Sequence, residues 1–524
     1  MRSVIPVLVA SALALAPAQD PAPAPAPEAP APEAPAPSRD ESSERFHEAL
    51  ELQRRGRWES AKRKLEKLME DFPSSVHFQD ALERGGDNAF LGCTPASKSG
   101  PSERRIDVAV MGDGFTVDGG DQDLQEEWAE LCLEVLFNED VFDEYRSYFN
   151  FWFVRLASLE EGVDPFLSEE EKKKIEERNK KRRKEKKVDF STALDCKSAP
   201  GGQVYANRSL VYKWLGIADG DAPGCASDGL AIAFARFGRL GMGGSGVANV
   251  GRPDKSITVH EFGHAFAGLL DEYVAQEGPP SEPIEAPNAA TTEDPELVPW
   301  AHFLRAKVRG VDVHEGGATY RKGVWRPANG CAMNSAGNES FCPVCREAAV
   351  LAIYRYIDPI DAWGPDPATP IAIVEGSERE LFVVPMQPKH DLDVTWFVEE
   401  GVDLAPVEPR DPYADALDAT PESRYRNPFL GGRYTGGTRH RSKRDAYDEP
   451  PAGERSRAAQ RERGKRDEPD RWTFPLDRLD PGTYRITARV ADPIEWVLKD
   501  EQHLLEERRT WTVSVTPKDA AEGR

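Results

Sequence analysis

Beyond its first fifteen residues the chain has no apolar run approaching the ~20 consecutive residues that cross a bilayer as a helix, so no transmembrane anchor is expected. Cysteine is scarce, with seven in 524 residues, and none follows Cys345. The odd number leaves at least one thiol unpaired or otherwise employed. Acidic residues outnumber basic ones 91 to 67, for a formal charge of −24. That net field repels phosphate backbones and argues against nucleic acid as a partner. The length exceeds what one compact core accommodates, and two or three domains are expected.

What is present starts with a leader. Arg2 precedes an apolar run from Val4 to Leu15, and Ala16-Pro17-Ala18 then offers a small-x-small ending before Gln19. This reads as a secretory signal over residues 1–18, which implies export to the medium, periplasm or cell surface. Export makes disulfides possible. Residues 19–40 are a Pro/Ala-rich tether. Residues 41–98 are read as a helical hairpin region. Phe46, Ala49 and Leu50 lie before Gly56, then Trp58, Ala61, Leu65 and Leu68 recur at helical spacing until Pro73. One such hairpin cannot bury a core alone and is expected to pack on the next domain.

From 100 to 362 strands alternate with helices. Ile106–Met111 is a strand ending in Gly112-Asp113-Gly114, followed by an amphipathic stretch over Leu124–Leu136 and an aromatic strand at Phe149–Leu156. The glycine spacing and the missing lysine argue for a strand-to-helix turn rather than a phosphate loop. Residues 168–188 form a charged insertion, with eleven basic and six acidic residues between Glu169 and Lys187, expected to be a solvated helix. Leu230–Ala235 is another strand, and Gly243-Gly244-Ser245-Gly246 reads as a flexible segment. Over 368–517, strands at Ile371–Val374, Leu381–Val384, Val394–Val398, Tyr484–Val490 and Trp511–Val515 predict an immunoglobulin-like β-sandwich. Residues 408–470 are rich in Arg, Asp, Glu, Gly and Pro and are read as a disordered insertion.

The chemistry concentrates in His260-Glu261-Phe262-Gly263-His264, continuing to Asp271-Glu272-Tyr273. Histidines at i and i+4 share one helical face and can converge on one ion. Zinc lowers the pKa of a coordinated water towards ~7, and Glu261, one residue along, is placed to take its proton as general base. Asp254 and Ser256 offer N-cap chemistry and Gly268 a left-handed stop. The turn at Gly268 brings Asp271 back as the expected third ligand. Glu272 is the alternative, expected otherwise to orient a ligand or pair with a cation.

Together with Gly112-Asp113-Gly114-Phe115-Thr116, Pro299-Trp300-Ala301-His302 and Cys331 to Ala348, this segment resembles the IgA peptidase family of zinc metallopeptidases. The resemblance runs from about Ile106 to Pro359, and the β domain, with Val383-Val384-Pro385-Met386 and Asp480-Pro481-Gly482-Thr483-Tyr484, is similar to that family's C-terminal module. It implies a metzincin-like catalytic domain, a zinc cofactor and endopeptidase activity on a protein or peptide substrate. It does not carry over immunoglobulin A as that substrate. It also makes Met333 the candidate Met-turn residue beneath the metal. The chain departs from the metzincin Gly-x-x-His, because Leu270 falls at the ordinary ligand position and Asp271 one later.

Two other readings compete. A non-catalytic secreted binding protein has no need of an intact Glu261, and an amidase acting on cell-wall peptides differs only in substrate. Tyr273 and Tyr320 are candidates to stabilise an oxyanion, and His302 reads as a core or supporting residue. Cys331, Cys342 and Cys345 can supply a structural disulfide or, with another ligand, a second zinc site; export favours the disulfide. Cys196 with Cys225 is the other plausible pair, and Cys93 and Cys132 can pair or stay reduced.

Overall fold

The computed structural model describes residues 39–54, 58–78, 80–81, 88–117, 119–179, 190–221, 225–334, 340–401, 460–462, 465–468 and 471–521. The expected signal peptide, nearly all of the tether and most of the 408–470 insertion lie outside them. So does the second half of the charged insertion. The architecture is mixed α/β with several sheets. No helix among the described residues is long and apolar enough to cross a membrane.

Helices α1 (Arg39–Arg54) and α2 (Trp58–Asp71) form the hairpin. Phe46, Ala49, Leu65, Leu68 and Phe72 bury between them and against Ala89 and Ala157, so the hairpin packs on the next sheet. Residues expected to close the helical region instead form strand β1 (Ala89–Ser97). This corrects the boundary set at residue 98. The stretch carries no clear period of its own, and its conformation comes from antiparallel pairing with a distant strand.

That partner is β3 (Phe149–Ala157), reached from β2 (Ile106–Asp113) through helix α3 (Gly119–Leu136). Helix α4 (Arg208–Asp221) precedes β4 (Leu230–Ala235), and a short hairpin of β5 (Met242–Gly244) and β6 (Val247–Val250) ends the sheet. The six strands lie in the order β1-β3-β2-β4-β6-β5, parallel in the centre and antiparallel at both edges. Both faces are covered. Val108 and Val110 enter one core with Phe115, while Ala109 and Met111 enter another with Trp152 and Trp214. A strand buried on two sides reads as an unbroken apolar run rather than an alternating one.

Two local expectations change. The Gly243–Gly246 segment is a tight turn rather than a flexible linker. Ser245 and Gly246 have φ of 53° and 81°, the pair of positive values that a type I′ hairpin turn requires. Among the cysteines, Cys93 pairs with Cys225, which overturns both Cys196–Cys225 and Cys93–Cys132. The β1–β3 pairing carries Cys93 to the segment entering β4. Cys196 meanwhile turns towards the buried Asp113, whose carboxylate also accepts from Thr192 and Leu194 and ties down the loop. Cys132, Cys331, Cys342 and Cys345 are buried thiols, so the structural disulfide favoured among the last three is not formed.

The C-terminal region is built from two facing sheets. One contains β7 (Ile360–Gly364), β9 (Glu380–Pro385) and β11 (Arg471–Pro475), and the other β8 (Ile371–Val374), β10 (Asp393–Glu400), β12 (Gly482–Ala491) and β13 (Glu506–Thr516). Trp396 packs against Phe474 across the layers and stacks on Trp511. Gln460–Glu462 and Lys465–Glu468, inside the span read as insertion, are strands at the sheet edges.

A polar latch joins this region to the first. Asp492 is buried and accepts from Tyr145 at 2.7 Å and Tyr354 at 2.5 Å, while His390 bridges it to Glu144 at 2.7 and 2.8 Å. Burial tends to lower the His390 pKa, but the two carboxylates outweigh it and raise the value above the usual histidine range. Burial tends to raise Asp492, but His390 and the two tyrosines hold it low. The His390 contribution is therefore fully present below ~6.5 and fades as pH rises through its elevated folded value. The Asp492 contribution is present above ~3.9 and fades as pH falls. Replacing Asp492 by Ala takes the shared acceptor from buried Tyr145 and Tyr354 and half-buried His390, and is expected to cost about 3–5 kcal/mol. Denaturant melts check this, and the penalty for His390→Gln is expected to shrink between about pH 6 and pH 9. A pH-independent penalty would show that the charge on His390 contributes nothing.

Candidate metal centre

Helix α5 (Lys255–Ala267) carries the two histidines. Asp254 caps it, accepting from the Ile257 amide at 3.0 Å, and Gly268 ends it in the left-handed conformation at φ 66°. One face is apolar: Phe262 and Phe266 stack on each other and meet Phe142 edge to face, which seats the helix on the core. The other face presents His260 and His264.

Both rings are fixed through their inner nitrogens. His260 Nδ1 lies 2.8 Å from the Ala332 carbonyl and His264 Nδ1 2.6 Å from the Leu269 carbonyl. A carbonyl oxygen only accepts, so each Nδ1 carries a proton, and in the neutral tautomer that this selects, each ring turns its Nε2 lone pair outward. The two Nε2 atoms are 3.1 Å apart, and Asp271 Oδ1 stands 3.0 Å from one and 3.2 Å from the other. Three acceptors crowded this closely repel one another unless a proton or a cation lies among them. Ligands of a tetrahedral zinc at ~2.0–2.1 Å lie about 3.3 Å apart. The donor set and its spacing fit that ion.

Asp271 is held where it is by its own backbone, whose carbonyl accepts from Ala318 at 2.6 Å. Burial tends to raise its pKa, but His260 and His264 outweigh this and hold it below the usual carboxylate range. For His264, burial tends to lower the pKa and Asp271 reverses the direction. Glu272, the neighbouring carboxylate, points the other way, towards Asn288 at 3.1 Å and Cys345 at 3.1 Å.

Glu261 is 6% exposed and lies against strand β5, where it accepts from the Gly243 amide; burial raises its pKa. The strand passes so close that a Cβ at Gly243 would meet the Glu261 carbonyl oxygen at 2.3 Å, and one at Gly241 the Glu261 Cγ at 2.5 Å. Met333 is fully buried beneath the helix, its sulfur 2.9 Å from where a Gly263 Cβ would stand. Its carbonyl accepts from the Glu272 amide at 2.6 Å.

Of the tyrosine candidates, Tyr273 lies at the site. Its ring stacks 6.2 Å from that of His260, and burial together with the adjacent Asp271 pushes its pKa up to about 12. Tyr320 lies in a different sheet, paired with Gln276 and Gly317. His302 binds Glu347 at 2.6 Å, and Glu347 in turn accepts from the Leu498 and Lys499 amides, so this pair braces the C-terminal region. Asn288 was missed in the sequence. It is fully buried and clamps the loop of Leu270 to Glu272, accepting from the Leu270 amide and donating to the Leu270 carbonyl and to Glu272. A lone Asn between Pro287 and Ala289 carries no local signal of that role.

Comparison with known proteins adds one finding. Residues 94–178 match the family model described as IgA Peptidase M64, which supports membership of the IgA peptidase family. The matched segment spans β2, α3 and β3 and ends before His260. No curated protein matches the chain significantly.

Proposed function

Taking the IgA peptidase family match as premise, we propose that this chain is an exported zinc metalloendopeptidase with a metzincin-like catalytic domain. His260, His264 and Asp271 hold the metal and Glu261 is the general base. The observation that carries the reading is the convergence of two Nε2 atoms and a carboxylate oxygen within 3.2 Å, while each ring's Nδ1 proton is committed to a backbone carbonyl. A zinc ion there would act as a Lewis acid on a peptide carbonyl and acidify a coordinated water. The chain's own residues do the rest. Ala332 and Leu269 fix the rings, Met333 gives the helix an apolar floor, and Glu261 removes a proton from the attacking water and returns it to the leaving amine.

Strand β5 is the last in its sheet, with Met242 exposed beside a cleft of about 220 Å³ lined by Tyr205, Arg208, Gly243 and Gly244. An extended substrate chain has a place along this rim. The C-terminal sheets read as an immunoglobulin-like sandwich, supported by Tyr484 Oη donating to the Asp480 carbonyl at 2.9 Å, a corner of the kind such domains carry. The leader and the Cys93–Cys225 pair support export. Immunoglobulin A does not follow as substrate.

The test is cleavage of a peptide library by the full chain, read by mass spectrometry, before and after chelation. Cleavage is expected to stop on chelation and to return with stoichiometric zinc. Cleavage that survives metal removal, or a zinc-replete protein inert on every peptide, would sink the reading.

A further inference from the structure

A second cluster of metal-ligating side chains lies behind the first, and the chemistry above makes no use of it. Cys331, Cys342, Cys345 and Glu272 come from three separate stretches of chain, yet their ligand atoms all lie within 4.8 Å of one another and all four residues are buried. Cys345 Sγ stands 3.1 Å and Cys342 Sγ 3.9 Å from Glu272 Oε1. In a tetrahedral zinc site with Zn–S near 2.3 Å and Zn–O near 2.1 Å, sulfurs lie about 3.8 Å apart and a sulfur and an oxygen about 3.6 Å. The two sulfur–oxygen separations bracket the second of these, and every pair in the cluster lies within 4.8 Å.

Two further observations point to an ion. Glu272 is 1% exposed, and its Oε2 is buried with no hydrogen-bond partner among the described residues. An acceptor stranded in this way costs free energy unless something cationic meets it. One of the sulfurs also meets two backbone donors. Cys331 Sγ accepts from the Met333 amide at 3.4 Å and the Cys342 amide at 3.3 Å. Cys342 occupies the N-cap position of helix α6 (Pro343–Tyr356), whose first turn holds Cys345, so the positive helix end lies beside both thiols. Asn288 donates to Glu272 Oε1 from outside the set, as outer partners of metal carboxylates do.

We propose that Cys331, Cys342, Cys345 and Glu272 bind a second zinc ion, closed on four protein ligands and structural in role. Three thiolates favour zinc over magnesium or calcium. The site joins the loop bearing Asp271 to the turn bearing Met333, because Glu272 follows the one directly and Cys331 lies two residues before the other. It holds the scaffold of the first centre from behind. The assignment of the second ion does not depend on the first centre being catalytic.

Metal analysis of the purified full chain, prepared without chelators, is expected to find two zinc ions. His264→Ala should retain one and Cys345→Ser should lose the thiolate-bound one. With cobalt in place of zinc, thiolate-to-metal charge-transfer absorption should persist in His264→Ala and vanish in Cys345→Ser. Should Cys345→Ser fail to fold, the wild-type chain decides the matter: blocking native thiols with an organomercurial is expected to release one zinc to a chromogenic chelator. No zinc released on blocking, no charge-transfer band, or a disulfide among these three cysteines in the native protein would each overturn the proposal. A chain with a thiolate-bound ion but no hydrolysis would leave this site standing and remove the proposed activity.

Discussion

A Glu261→Gln protein is expected to keep its metal content and fold yet hydrolyse peptides about 10²–10⁴-fold more slowly than the parent, the usual cost of removing a general base. The substitution keeps the shape of the side chain and its contact with β5, so the loss isolates the proton transfer. Glu261 is buried against Gly241 and Gly243 and is not one of the three groups that meet at 3.0–3.2 Å. Its removal should therefore appear in kcat, with KM little changed, and zinc content should stay at the parental level. Near-parental turnover by the metal-replete variant would remove Glu261 from the mechanism and leave the site as a binding centre only.

Asp271→Ala is expected to weaken metal binding at the histidine pair by more than about 100-fold, since even an outer partner of a ligand is worth 10–100-fold. Its oxygen lies within 3.2 Å of both imidazoles. Without it two neutral rings remain, which do not hold zinc against dialysis. The comparison is Glu272→Ala, whose carboxylate faces Asn288 and the cysteines. Dialysed Asp271→Ala should lose the ion of the histidine site and all hydrolysis while keeping the cobalt charge-transfer band. Glu272→Ala should weaken that band. If Asp271→Ala retains tightly held metal and turnover while Glu272→Ala loses both, the two carboxylates have the opposite roles.

The sequence alone determined whatever is settled within one or two turns of chain. The His260–His264 pair, the Asp254 cap and the Gly268 stop act between residues a few positions apart, so their spacing is sufficient to place them on one helix. The runs at Ile106, Phe149 and Leu230 were legible as strands because parallel strands buried on both faces need unbroken apolar side chains. Strand β1 was not, since an edge strand takes its conformation from a partner some sixty residues away. The Gly-rich segment before the helix misled for a related reason. Glycine signals conformational freedom locally, and only packing against Glu261 and a turn with two positive φ values made it a rigid hairpin.

The tertiary structure decided what depends on direction and on distant partners. Asp271 and Glu272 are chemically equivalent neighbours in sequence; backbone hydrogen bonds from Ala318 and to Met333 aim one at the histidines and the other away. Three cysteines that export made look like disulfide partners became a cluster around that second carboxylate, because helix α6 and the Met333 turn bring them to it from separate stretches. Cys93 meets Cys225 across 132 residues because the sheet brings their segments together. Side chains acquire such partners through the packing of whole elements, and spacing along the chain carries no record of it.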